Sequence, residues 1–429
     1  MDYLRGLLGI IALIAVAFLF SGNKRKVDWR LVGIGVLIQC IFGFLITRVE
    51  FIADLFLAVS RGFVKFLSFS QEGAIFLFGD LANDTFGFIF AFQVLPTIIF
   101  FSTVSAALYY LGILQKLVFG IAWVMARTMR LSGAESLSAA GNIFLGQTEA
   151  PLLVKPFIPT MTRSELMCLM TGGMATIAGG VLAGYVAFLG GENSEEQSKF
   201  AAYLLGASIM NAPAAIVMSK IIVPQTNPEN LDDKLEVSGE GLGVNLIDAM
   251  SRGASDGLKL ALNVGGMLLA FIAVIAALNY VLSGLIGEYT GLNAWVVRST
   301  DGNFQGFSLE YILGQLFRIF AWLIGVEWND TLHVGSLLGQ KTVINEFVAY
   351  LGLAELKEAG EISPKSIVIA TYALCGFSNF SSIAIQVGGI GSIAPNQQGE
   401  LSRLGMHALL AASLACMMTA SIAGALYAG

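Results

Sequence analysis

An all-α polytopic membrane protein is the fold class that the sequence predicts, and three observations predict it. Only 13% of the residues are charged and 56% are hydrophobic, whereas a soluble globular chain carries about 25% charged residues. Apolar segments of about 20 residues, the length that crosses a bilayer core, recur along the whole chain. The 49 glycines suit helices that pack closely or are interrupted inside a membrane. With a mean hydropathy of +0.75, the exterior cannot be mainly water-facing, and the lipid bilayer is the expected surrounding. The net charge of −6 and the lack of a basic stripe argue against a nucleic-acid partner, because a phosphate backbone is held by clustered positive charge.

In chain order the candidate spans are Leu4–Phe20, Leu31–Thr47, Phe86–Leu114, Leu166–Leu189, Ala201–Val223, Leu258–Ile286, Ser366–Val387 and Leu404–Ala428, eight transmembrane helices in all. The first ends in Ser21-Gly22-Asn23-Lys24-Arg25-Lys26. A cleavable signal carries its positive charge in front of the apolar run rather than behind it, so a retained first helix is expected. After the second span, Phe51 to Phe69 sets Asp54, Arg61, Lys65 and Ser68 on one helical face, with Ile52, Phe56, Val59, Phe63 and Phe66 elsewhere. That pattern predicts an amphipathic helix lying in the interface. Cys40, Cys168, Cys375 and Cys416 fall inside apolar stretches without a Cys-x-x-Cys pair, the pattern of free thiols rather than disulfides or zinc ligands.

Positive charge sets orientation. Lys24, Arg25, Lys26 and Arg30 put the first loop in the cytoplasm and the N-terminus in the periplasm. Counting onward, Lys116, Arg127, Arg130, Arg163 and Arg403 fall inside, and the acidic loop with Glu192, Glu195 and Glu196 falls outside. An even number of spans then returns the C-terminus to the periplasm. The loop around Asn230–Gly257 is mixed in charge and contributes little.

Two regions do not read as simple spans. Ser136 to Thr162 is apolar yet holds Asn142, Gln147, Thr148, Glu149 and Lys155 with Pro151, Pro156 and Pro159; His333 to Leu356 holds Lys341, Asn345 and Glu346. Each has the length of two half-helices that enter the membrane and turn back, a path tolerated only where protein or a water-filled cavity covers it. Each is followed by an apolar segment with a polar centre, Thr171-Gly172-Gly173-Met174-Ala175-Thr176-Ile177-Ala178-Gly179-Gly180 in one case and Cys375-Gly376-Phe377-Ser378-Asn379-Phe380-Ser381-Ser382 in the other. A further span comes after both. The order hairpin, broken helix, helix therefore occurs twice, and the charge count opens the two hairpins to opposite sides. An inverted repeat of this kind places a ligand at its midplane interface. The division expected is scaffold over residues 1–130, a first repeat over 131–225, a linker with a scaffold helix and an amphipathic helix over 226–330, and a second repeat over 331–429.

Glu149 and Glu346 are the conspicuous residues. A carboxylate in an apolar segment costs at least about 2.5–3.5 kcal/mol on insertion scales. Each could simply cap a half-helix or pair with Lys155 or Lys341; two such carboxylates at related hairpin tips argue for a common site. Gln147, Thr148, Asn379 and Ser382 add donors and acceptors without excess positive charge. That set suits a neutral ligand rich in hydroxyl or amide groups, with Phe377 free to pack on a flat ring.

Gly-Gln-Thr-Glu-Ala-Pro at 146–151, Asn-Glu-Phe-Val-Ala at 345–349 and Gly-Phe-Ser-Asn-Phe-Ser-Ser at 376–382 together resemble the concentrative nucleoside transporter family, of the bacterial sodium-coupled type, over nearly the whole chain. The resemblance implies a multi-pass homotrimer in the inner membrane, each protomer having a scaffold and a mobile part. It implies that Gln147, Thr148 and Glu149 bind the nucleobase, that Val181 and Phe377 flank its faces, and that Glu346, Asn379 and Ser382 bind the ribose hydroxyls. It also implies one Na⁺, held by the side chains of Asn142 and Thr176 and the carbonyls of Leu145 and Ile177. A hard cation wants oxygen ligands, and an unwound helix exposes free carbonyls.

Sodium-coupled import of a uridine-like nucleoside is thus the function expected, and no enzymatic activity. Proton coupling through Glu149 or Glu346 is the alternative within the class. A channel would need a continuous polar lining, where this chain has isolated clusters. Gly253-Ala254-Ser255-Asp256-Gly257 matches a hydrolase nucleophile motif, but that motif requires a strand before the serine, and Leu246 to Arg252 reads as an amphipathic helix. His333 and His407 share no ligand spacing, which argues against a metalloenzyme.

Overall fold

The structure is a computed structural model that describes all residues except 1, 88, 192, 227–234, 236–242, 428 and 429. Glu192 of the acidic loop, much of the mixed-charge loop after Asn230, and Ala428 at the end of the last span lie outside the described residues. Among the described residues every regular element is helical.

The N-terminal part comprises α1 (Asp2–Leu19), α2 (Trp29–Arg48), α3 (Glu50–Ser68), α4 (Ser70–Phe78), α5 (Leu95–Tyr110) and α6 (Ile113–Met129). The first group of broken elements is α7 (Gly133–Gly141), α8 (Ala150–Leu153), α9 (Arg163–Ala175), α10 (Gly179–Gly190) and the long α11 (Ser194–Ile222). Two outer helices follow, α12 (Leu246–Asn279) and α13 (Leu309–Leu323). The second group is α14 (Thr331–Val343), α15 (Glu346–Ala359), α16 (Pro364–Leu374), α17 (Phe380–Ile393) and the long α18 (Gln398–Leu426).

Among the described residues six helical stretches are long and apolar enough to cross a membrane: Trp29–Arg48, Phe90–Tyr110, Arg163–Gly190, Ser194–Ile222, Leu246–Thr290 and Pro395–Leu426. The other two expected spans take a different form. The first is a shorter apolar helix, Tyr3–Leu19. The seventh is divided into α16 and α17 by the non-helical stretch between Leu374 and Phe380, as Arg163–Gly190 is itself divided into α9 and α10, at the two breaks the sequence predicts. The stretch Phe51–Phe69, expected to lie in the interface, forms α3, whose Ser60, Val64 and Leu67 are buried. The Ser255 pattern lies in mid-helix on α12, without the strand a nucleophile elbow needs.

Local sequence explains where the inner helices begin. Ser132 and Glu135 form a reciprocal capping box at α7, and Thr162 and Glu165 do the same at α9, each satisfying orphan N–H groups of a first turn. Asn193, Asn245, Asn345 and Asn379 cap α11, α12, α15 and α17 through their side-chain oxygens. Such caps are each worth about 1 kcal/mol.

The helices fall into two classes by burial. In the most apolar window of Arg163–Gly190, 94% of residues are buried, against 17% in Leu246–Thr290. At the centre α18 packs on α1, α9, α11 and α16, while α11 packs on α2, α3, α9 and α10. Outside, α12 lies along α5 and α13 along α14. Small residues let α12 approach closely: a Cβ on Gly257 would stand 2.8 Å from the Ile99 Cα. One buried ion pair braces the base of the first group, where Lys220 of α11 meets Glu135 of α7 and donates to Ser164 Oγ of α9 at 3.0 Å.

Candidate functional site

The site is built on the two interruptions, Thr176 to Ala178 between α9 and α10 and Cys375 to Asn379 between α16 and α17. A helix that stops in the interior leaves its last carbonyls without partners, and here each stop serves the other. Phe377 N–H donates to the Thr176 carbonyl at 3.3 Å. From α11, Asn211 Nδ2 donates to the carbonyls of Ala175 (2.8 Å) and Cys375 (2.7 Å). The Cys416 thiol of α18 reaches the same two oxygens at 3.4 and 3.2 Å. Gly376 makes this crossing possible. Its φ is 152°, and a Cβ there would stand 2.6 Å from the Ala175 carbonyl oxygen and 2.8 Å from Cys416 Sγ.

On this crossing a line of polar side chains joins the two groups. Gln147 Nε2 donates to Ser382 Oγ at 3.1 Å. Ser382 N–H donates to Asn379 Oδ1 at 2.9 Å, which is the α17 cap. Asn379 Nδ2 in turn donates to Glu346 Oε2 at 2.9 Å, and Tyr185 OH donates to Glu346 Oε1 at 3.0 Å. All five of these side chains are buried. Glu346 therefore accepts from two neutral donors, an arrangement suited to an ionised carboxylate.

The other residues singled out in the sequence are placed as follows. Thr148 and Glu149 are exposed, and the Glu149 carboxylate accepts from Gly146 N–H at 3.1 Å. Val181 is buried in the first turn of α10, and Phe377 is half-buried on the second interruption. Leu145, Asn142, Thr176 and Ile177 are buried. Asn142 closes α7 and lies against α9, where a Cβ on Gly172 would stand 2.9 Å from its Nδ2. Among the described residues neither atom of its amide has a hydrogen-bond partner. A buried amide in that condition is costly, and an oxygen-seeking cation is one group that would relieve its Oδ1. Thr176 Oγ donates to the Gly172 carbonyl at 2.9 Å and keeps acceptor capacity toward the same place. Among the described residues no group of three His, Cys, Asp or Glu could hold a metal ion.

Sequence reasoning missed Tyr185, Gln386, Asn211 and the Glu135–Lys220 pair. Gln386 Nε2 donates to Gln147 Oε1 at 3.2 Å and to the Met170 carbonyl at 3.1 Å, holding the first tip against α9. Each is a lone polar residue in an apolar run, which is a functional signal in a membrane segment, but nothing nearby in sequence names its partner. A cavity of about 1530 Å³, lined in part by Arg61, Lys65, Thr97, Ala183 and Glu355, separates α3 and α5 from α10 and α15.

A buried helical body with paired interruptions, inside a looser set of apolar helices, defines a membrane transporter. Comparison with known proteins gives the family. The family profile described as Na+ dependent nucleoside transporter C-terminus matches residues 203–424, the corresponding N-terminus profile matches 8–81, and one described as Nucleoside recognition matches 91–192. An uncharacterized transporter of Bacillus subtilis, YutK, is 44% identical over 99% of both chains. The rat sodium/nucleoside cotransporter 1 is 39% identical over 98% of this chain and 63% of its own, so the chain spans about 60% of the length of the animal relatives it matches. Among solved structures, CNTnw in an inward-facing substrate-bound state is 40% identical with a TM-score of 0.89, covering 99% of each chain, and a variant of CNTnw in an outward-facing state also gives 0.89 at 40% identity, covering 99% and 98%. The chain belongs to the sodium-dependent, concentrative nucleoside transporter family.

Proposed function

We propose that this protein imports uridine-like nucleosides across the bacterial inner membrane, driven by Na⁺ and working by alternating access. The observation that carries the reading is the buried line Gln147–Ser382–Asn379–Glu346, which brings side chains of both helix groups onto the paired interruptions. In this reading Glu346 accepts from vicinal ribose hydroxyls, with Asn379 and Ser382 beside it. Gln147, Thr148 and Glu149 meet the base, and Val181 and Phe377 flank the ring. The exposed Glu149 and Thr148 remain open to a ligand, while Tyr185 and Gln386 hold Glu346 and Gln147 in position.

Asn142 and Thr176, with the carbonyls of Leu145 and Ile177, would hold one Na⁺ beside this site. A bound ion would be ligated by the Asn142 amide oxygen and supply positive charge near Glu149. The unpaired amide favours sodium over the alternative, proton coupling through Glu149 or Glu346.

We further read α7 with α8, and α14 with α15, as two re-entrant hairpins added to eight spans in an inverted repeat, both termini facing the periplasm. The head-to-head meeting of the α9 and α16 ends supports this. Residues 1–130 and 226–330 would form the scaffold, and 131–225 with 331–429 the moving part. The cavity between α3 and α15 would be a surface along which the scaffold and the moving part separate, with the outer helices left for a homotrimer. In proteoliposomes, replacing sodium by choline at constant pH should abolish uptake of labelled uridine; undiminished uptake would dismiss the sodium reading.

A further inference from the structure

The two helix groups treat the ends of their interrupted helices differently. In the first group the amide of Asn142, next to α7, lies against the last turn of α9 and finds no partner among the described residues. In the second, Lys341 stands in the last turn of α14, the place that the repeat read above pairs with Asn142. Its Nζ donates to the Ala373 carbonyl in the last turn of α16 at 2.9 Å, and only 3% of the residue is exposed. Beside it Tyr350 OH donates to the Thr371 carbonyl at 2.8 Å. Among the described residues Lys341 makes no ion pair. A buried ammonium with no ion pair and a backbone carbonyl as its hydrogen-bond acceptor is expensive, so its position calls for a reason. An ammonium is a compact point charge with three donors, and a helix C-terminus carries about −0.5 elementary charge on unpaired carbonyls. A small hard cation meets the same demands.

We propose that Lys341 is a tethered cation, standing in the second repeat where the first repeat binds Na⁺. It fills the symmetry-related ion position permanently, offsets the charge of Glu346 on the same helix pair, and limits the transporter to one sodium ion per nucleoside. The proposal rests on the sodium reading given above.

The test counts ions. For purified wild-type protein, sodium activation of uridine binding should follow a Hill coefficient of about one, and reversal potentials in proteoliposomes should give about one charge per uridine. Lys341→Asn supplies in the second repeat the amide that Asn142 provides in the first. Both quantities should rise toward two, and half-activation should need more sodium. Lys341→Met removes the charge without offering oxygen and should stay at one ion with weaker uridine binding. A Lys341→Asn protein that binds uridine with unchanged slope and charge overturns the proposal, as does a wild type that already moves two charges; the latter needs no variant to fold. Wild-type binding that persists unchanged in choline overturns the underlying sodium reading instead, a result distinct from an unchanged slope in a variant that still requires sodium.

Discussion

The Glu346 carboxylate is held on both oxygens before any ligand arrives, by Tyr185 and Asn379, so a bound ribose would meet an acceptor that needs no rearrangement. Hydrogen bonds to a charged group contribute about 1.5–3 kcal/mol. Glu346→Gln should therefore weaken uridine binding at least about tenfold in a calorimetric titration, with the protein still folded. Tyr185→Phe removes a donor that positions the carboxylate rather than a bond to the ligand, and should cost less than Glu346→Gln, about fivefold or under; an effect equal to that of Glu346→Gln would give Tyr185 a direct role. Glu149→Gln should weaken base recognition, read as a smaller difference between uridine and ribose as competitors. For the ion, Asn142→Ala and Thr176→Ala should each raise the sodium concentration for half-maximal uptake, and an unchanged value in both would remove these side chains from the ion site. Much of this was legible in the sequence because the motifs at 146–151, 345–349 and 376–382 carry most of the polar line. Tyr185 and Gln386 were not, since their partners lie 161 and 239 residues away.

At the level of elements, the interruptions are held open by specific residues rather than by a mere absence of helix. Gly376→Ala forces a Cβ against the Ala175 carbonyl in a backbone region that L-residues seldom adopt. A change of that kind costs more than about 1 kcal/mol, so the detergent-solubilised protein should melt at a lower temperature and lose uridine binding. Asn211→Leu strips two buried carbonyls of their shared donor and should destabilise by at least about 1–3 kcal/mol. An unchanged melting temperature there would show that Cys416 suffices. The sequence located both interruptions because glycine and polar residues break an apolar run. It did not reveal α6, whose Lys116 and Arg127 read as loop charge. The structure shows Leu114, Val118, Ala122 and Met125 buried along one helical face instead. The broken helix expected within Ser366–Val387 is α16 and α17, parted where its centre crosses the first interruption.

Across the whole molecule, the contrast between the buried α9, α11 and α18 and the sparsely covered α5 and α12 separates a compact body from a frame. Family membership and the all-helical, membrane-type class were recoverable from one sequence, because charge scarcity and motif order are global properties. The packing of α18 at the centre was not, since its apolar pattern resembles that of a lipid-facing helix. The crossing has a practical corollary in thiol chemistry. Cys375 and Cys416 sit within the rivet that fastens one helix group to the other, and Cys168 is also buried, whereas Cys40 on α2 is only half-covered. A membrane-permeant mercurial should consequently modify about one thiol per chain at rest. Should turnover with uridine leave that stoichiometry unaltered, the cargo-bearing halves travel as a single welded carriage; a gain of reactivity at Cys416 would reveal that the weld parts on every journey.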